Sequence, residues 1–252
     1  SPRQTDFFLG FLPDTAKVKR ISYAASFGTD RWEYPARLGK YCGRLLKRFD
    51  AVSVREKDGI QLCGEHFGVQ ATQVLDPTLL HKTDVYEQLV READEPHSPG
   101  QLFCYVLDKN DTHTKMLYHI AEELHAAPFE VMPRAVGMRN PEVPLTERIF
   151  PRVTQWLRAF MDAQYVVTDS FHGCAFAILF HRPFVALGNS KRGQSRFYSL
   201  LSLFGLENRL IDDMDAVKIA HLLQNPIDWN HVEASLSKER SRSIKFLQQA
   251  LH

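Results

Sequence analysis

A chain of 252 residues is long enough to bury a substantial core in one large or two modest domains. Its 31 basic and 30 acidic residues nearly cancel, so the charge recommends neither a nucleic-acid nor an anionic-membrane partner. Hydrophobic residues at 44% and charged ones at 24% are ordinary for a globular protein, and no apolar run approaches the roughly 20 residues of a membrane span.

Residues 1–6 are polar, while Phe7 to Leu12 are too apolar to be solvated. Residues 18–25 read as a central strand that ends at Ser26-Phe27-Gly28. Residues 37–49 have the helical period, with Leu38, Cys42, Leu45 and Phe49 inward. Lys40, Arg44, Lys47 and Arg48 face outward and read as solvated surface rather than a binding patch. A strand over 51–54 delivers Arg55-Glu56 at its carboxyl end; a helix over 58–67 follows, with Gly68 as its C-cap. Another strand over 71–75 stops at Asp76-Pro77. Residues 92–100 hold two prolines, a glycine and several polar side chains, the composition of an interdomain linker.

A second alternation begins with a strand over 102–107, a helix over 112–125 and a strand over 129–133. A loop over 135–145 precedes a helix over 152–162 with Val153, Trp156, Leu157 and Phe160 on one face. The strand 165–168, a turn carrying Asp169, Ser170 and His172, an apolar helix and the strand 183–187 follow with almost no slack. That rhythm belongs to a parallel α/β unit. A basic loop over 188–196 leads to a helix over 197–204, a short extended piece at Leu210-Ile211, a helix over 215–224 and a last helix over 232–250. Cys42, Cys63, Cys104 and Cys174 are scattered without CxxC or zinc spacing, and read as reduced, buried thiols of a cytosolic protein.

Chemistry is expected where polar residues meet the carboxyl ends of strands, because ligands of α/β sheets bind there and helix N-termini attract anions. Three clusters qualify: Arg55-Glu56, Asp169-Ser170-His172, and Lys191, Arg192 and Arg196. Arginines beside a helix N-terminus suit a phosphorylated or carboxylated ligand. Each residue also has a plainer reading. Arg55 can pair with Glu56 or another carboxylate, Ser170 can serve as an N-cap, Asp169 can shape the turn, Gly173 can be a close-packing position, and Lys191 and Arg192 can be a wet loop. No Walker loop, GxGxxG or GxSxG word occurs, and Ser170 lacks a nearby base in the pattern of a hydrolase, so a serine-nucleophile enzyme is disfavoured.

The words "RISYAASFG" (20–28), "SVREKDG" (53–59), "LDPTLL" (75–80), "YVVTDSFHG" (165–173) and "RPFVALGNSKRGQSRFYSLLSLFGLENRL" (182–210) together resemble the polysaccharide pyruvyl transferase family. The resemblance implies two Rossmann-like domains facing a cleft in a glycosyltransferase-B-like arrangement. Residues 1–91 would be the remainder of the first domain, 92–100 the linker, 101–228 the second domain with the donor site, and 229–252 a helix bracing the first domain. It implies phosphoenolpyruvate as donor, a cell-surface glycan or its lipid-linked precursor as acceptor, and a pyruvate ketal plus phosphate as products. No cofactor and no metal are expected, and the setting would be the cytoplasm, at the inner face of the membrane. His172 and Arg55 correspond to the histidine and arginine that the family associates with its donor. Some relatives carry an arginine in the "SFHG" word where this chain has Ser170, so Lys191, Arg192 or Arg196 is expected to supply the second phosphate-binding charge. Ser170 and Gly173 would border the donor; His172, and less so Asp169, would act in catalysis. Members usually begin with a Gly-rich strand, loop and helix before the first of these words, so the chain is expected to start inside its first domain. A nucleotide-sugar glycosyltransferase of the same architecture, or a non-catalytic partner in glycan assembly, would carry the same alternation.

Overall fold

A computed structural model describes residues 4–133, 144–188 and 194–252. By contacts the chain divides into two compact units, the first of Ser1–Leu80, Ser190–Gly205 and Glu233–His252, the second of His81–Asn189 and Leu206–Val232. The division falls between Leu80 and His81, whereas the sequence suggested residues 92–100, and the basic loop's helix joins the first unit. The fold is α/β, with a parallel sheet in each unit.

The first unit has three parallel strands in the order β1 (Ile21–Ala25), β2 (Ala51–Val54), β3 (Thr72–Gln73). Helix α1 (Ala36–Leu46) buries Cys42, Leu45 and Leu46 and leaves Lys40 and Arg44 exposed, as its period predicts. It packs with Val52, Val54, Cys63, Phe67 and Phe8 into one cluster, with Leu38 and Phe49 partly buried against it. Helix α2 (Lys57–Leu62) runs on into a wider turn, Cys63–Phe67, which Gly68 ends in the left-handed conformation at φ 63°. The expected strand over 71–75 forms only two ladder residues, because β3 is an edge and pairs on one side.

The second unit has five parallel strands in the order β5 (Pro128–Phe129), β4 (Leu102–Tyr105), β6 (Tyr165–Thr168), β7 (Phe184–Leu187), β8 (Leu210–Ile211). Alternate strand residues split between two faces. Leu102, Cys104, Val167, Val185, Leu187 and Ile211 pack with Met116 and Ile120 of α4 (Asp111–Glu123) and with Ile219 and Leu222 of α8 (Ala216–Gln224). On the other face Phe103 meets Phe160 of α5 (Val153–Asp162) edge-on at 4.9 Å, and Trp156 meets Phe176 of α6 (Phe171–Leu179) at 4.8 Å. Val153, expected on that face, is 71% exposed: it opens the helix one turn before Trp156, and the buried stripe begins later.

Helix α3 (Thr83–Glu92) has no counterpart in the sequence reading, since Val90 is its one buried residue and its apolar stripe is thin. Tyr86 secures it against Phe176, ring to ring at 5.1 Å. Helix α7 (Ser195–Ser202) packs in the first unit against α2, and α9 (Trp229–Leu251) begins in the second unit and ends in the first. All four cysteines are free and buried; burial pushes the thiols up, Cys63 to about 11 and Cys104 to about 12, which suits packing rather than nucleophilic chemistry. No helix among the described residues is long and apolar enough to cross a membrane.

Candidate functional site

In the second unit, strand order reverses between β4 and β6: the chain leaves β4 toward β5 and leaves β6 toward β7. The carboxyl ends of such a pair diverge and open a crevice, the usual ligand position in this kind of sheet. Asp169, Ser170 and His172 lie in the turn that follows β6 at that point.

The turn is built from β6 upward. Thr168 donates its hydroxyl to the carbonyl of Tyr105 on β4 at 2.7 Å and accepts the N–H of Ser170 at 3.1 Å. Asp169, 6% exposed, accepts the N–H of Leu107 on one oxygen at 2.6 Å and that of Asp108 on the other at 2.7 Å. Its carboxylate therefore closes the loop after β4 onto the turn after β6. That is a turn-shaping task, and it uses both oxygens. Ser170 holds the N-cap position of α6 without a side-chain cap bond. A Cβ on Gly173 would lie 2.1 Å from Thr168 Oγ1, so glycine lets α6 sit directly on β6.

Every residue of α6 except His172 is buried. The exposed imidazole stands edge-on to Phe171 at 5.3 Å, at the helix's first turn, where backbone N–H groups have no intrahelical partner. Cys174, two residues on, is wholly buried and its thiol is pushed up by burial and then by Asp169, so it is no nucleophile. The sequence reading passed over His113, which enters beneath the turn from α4. Its backbone N–H is capped by the Asn110 side chain at 2.8 Å, while its ring contacts the carbonyls of Asp108 at 2.8 Å and Gly188 at 3.1 Å. Its one sequence signal is a place three residues after a capping Asn at the end of a strand.

The other expected residues belong to the first unit. Arg55, just past β2, pairs with Asp76 at 2.8 Å, and its Nε lies 3.9 Å from Glu56. Glu56 is fully buried and accepts the Ser26 hydroxyl at 2.9 Å and the N–H groups of Phe27 at 2.5 Å and Gly28 at 3.1 Å on a single oxygen. The N–H of Lys57 donates to the Ser199 hydroxyl at 3.0 Å, and Ser195 donates to Asp58. These bonds bring half-buried Arg196, at the start of α7, to the carboxyl edge that carries Arg55. Lys191 and Arg192 lie outside the described residues. Two clefts beside β5, of about 320 and 670 Å³, contain none of the expected site residues.

The family model of the polysaccharide pyruvyl transferases matches residues 2–191, which include the β2 edge and the β6 turn. Two solved structures are similar. One is described as the glycotransferase of kitacinnamycin (11% identity, TM-score 0.48, covering 86% of this chain and 62% of that one). The other is Phytolacca americana UGT2 complexed with UDP-2fluoro-glucose and pterostilbene (13% identity, TM-score 0.39, covering 98% and 68%). This chain thus spans under two thirds of the length of the first of them. No curated protein matches the chain.

Proposed function

Because this chain belongs to the polysaccharide pyruvyl transferase family, a family of transferases, we propose that it serves the transfer of pyruvate from phosphoenolpyruvate to two hydroxyls of one sugar in a cell-surface glycan or its lipid-linked precursor. The observation that carries this reading is the β6–α6 turn, where a single exposed histidine tops an otherwise buried helix at the strand-order reversal.

In the proposed reaction a proton adds to the methylene carbon of phosphoenolpyruvate, and positive charge develops at the adjacent carbon, which bears the phosphate ester. One sugar hydroxyl adds there and loses its proton. The carbon–oxygen bond to phosphate then breaks, and a second hydroxyl adds and loses its proton. The two hydroxyl protons balance the one taken up by the methylene carbon and the one carried off by phosphate. No electrons change hands, and no cofactor is part of the scheme. The reaction needs a general acid and fixed donors for a departing anion. His172 fills the first role or clamps the phosphate, and the N–H groups of the first turn of α6, bordered by Ser170 and Gly173, fill the second. Asp169 orients the turn, since both of its oxygens are engaged by backbone.

A thermal titration with phosphoenolpyruvate, UDP and GDP tests the reading. A ligand bound to the folded state alone stabilises by about 2.7 kcal/mol at a hundredfold excess over Kd. Phosphoenolpyruvate is expected to raise the melting temperature of the wild type and to leave His172→Ala unmoved. Arg55→Gln and Arg196→Gln, melted as separate arms, report whether the arginines of the first unit contribute. A shift with a nucleotide in place of phosphoenolpyruvate would replace this reading by that of a nucleotide-sugar glycosyltransferase.

A further inference from the structure

The imidazole of His113 is 4% exposed and has a hydrogen-bond acceptor on each side. Nδ1 faces the carbonyl of Asp108 at 2.8 Å, Nε2 that of Gly188 at 3.1 Å, and the Asp169 carboxylate lies 4.0 Å from Nδ1. A carbonyl only accepts, so each contact needs an N–H from the ring. With one proton the ring serves one carbonyl. With two it serves both, and the buried Asp169 then balances its charge.

The three partners belong to three strand ends. Asp108 follows β4, Asp169 follows β6, and Gly188 follows β7. Gly188 is already tied on its other side, where its N–H donates to Ile211 of β8 at 2.8 Å. We infer that His113 is a positioning residue for the candidate donor site: its Nε2 holds the Gly188 carbonyl, and so fixes the end of β7 beside the Asp169–His172 turn that follows β6. It acts through Gly188 and does not touch the donor. The inference rests on the pyruvyl-transfer reading for the ligand, but not for the contact.

Two amide replacements separate the bonds. The His113→Gln amide nitrogen falls where Nε2 sits and keeps a donor for Gly188. The amide of His113→Asn falls where Nδ1 sits and keeps a donor for Asp108 only. His113→Phe keeps the ring and neither donor. By calorimetry with phosphoenolpyruvate, His113→Gln is expected to bind within about threefold of the wild type, and His113→Asn and His113→Phe about tenfold more weakly. The first two are expected to melt together, so a purely structural role would not separate them. Equal affinity of His113→Asn and His113→Gln would overturn the inference. The carbonyl-carbon resonance of Gly188 gives a readout that needs no ligand. It is expected to move in His113→Asn and His113→Phe and to stay in His113→Gln, and an unmoved resonance in His113→Asn would also overturn the inference. If the wild type binds no phosphoenolpyruvate, the functional reading falls and the Gly188 resonance alone decides the role of His113.

Discussion

The carboxyl edges of the two sheets use one device with different surroundings. Glu56, just past β2, turns back to hold the backbone of Ser26 to Gly28 after β1; Asp169, just past β6, turns back to hold Leu107 and Asp108 after β4. In both, a buried carboxylate satisfies N–H groups of the loop after the neighbouring strand, which would otherwise be orphaned donors. The first edge adds an internal cation, Arg55, fixed by Asp76. The second adds a buried histidine below and an exposed one above. A strand-end carboxylate is therefore mainly a fastener here, and what distinguishes the second edge is the exposed imidazole in the first turn of a helix.

The comparison breaks most readily at the oxygens. Glu56 accepts all its bonds on one oxygen, whereas Asp169 uses both. An amide keeps a single acceptor, so Asp169→Asn must set an N–H against an N–H and Glu56→Gln need not. Urea denaturation should show a loss of about 3 kcal/mol for Asp169→Asn and about 1 kcal/mol for Glu56→Gln. Equal losses would mean that charge, rather than acceptor count, governs these sites.

Gly173→Ala is expected to cost about 2 kcal/mol in the same assay, because the new methyl meets Thr168 and pushes α6 off β6. Thr168→Ser, which removes a methyl that the new Cβ would strike at 2.9 Å, should return part of that loss when combined with it; strict additivity would assign the loss to Oγ1 and Cβ, which serine keeps.

The smallest effect belongs to a more solvated version of the same fastener. Burial alone would raise the Asp162 carboxyl, but the Ser98 N–H, His97 and Arg158 outweigh it and hold the group below its usual value. Its contribution is thus fully present above the ordinary carboxylate range, near about 4, and is lost as pH falls through the lowered value. Asp162→Asn should melt below the wild type at neutral pH, and the two curves should converge on acidification. A gap that persists in acid would assign the loss to packing.

Much of the architecture was legible from local pattern. The run Tyr165 to Phe180 is apolar apart from Thr168 to Ser170 and His172, and it forms a buried strand and a helix buried everywhere but at His172. Gly68 closes its helix in the conformation glycine favours. Strands and helices answer to neighbours within a few residues, so their period can be read along the chain. The short edges β3 and β5 and the helix α3 were blurred, because an edge strand pairs on one side and a helix with one buried residue has little stripe to detect.

What each polar group at the strand ends does was settled only by tertiary structure. Arg55 meets Asp76 across 21 residues, Asp169 meets Leu107 across 62, His113 meets Gly188 across 75, and Lys57 meets Ser199 across 142. The alternation of strand and helix, the buried β6–α6 element and the place of His172 at the turn between them follow from the residues themselves. The partner of each carboxylate, the role of His113 and the packing of α7 on the first unit follow from which strand ends become neighbours in a sheet. That ordering comes from how the whole core packs, and no local period records it.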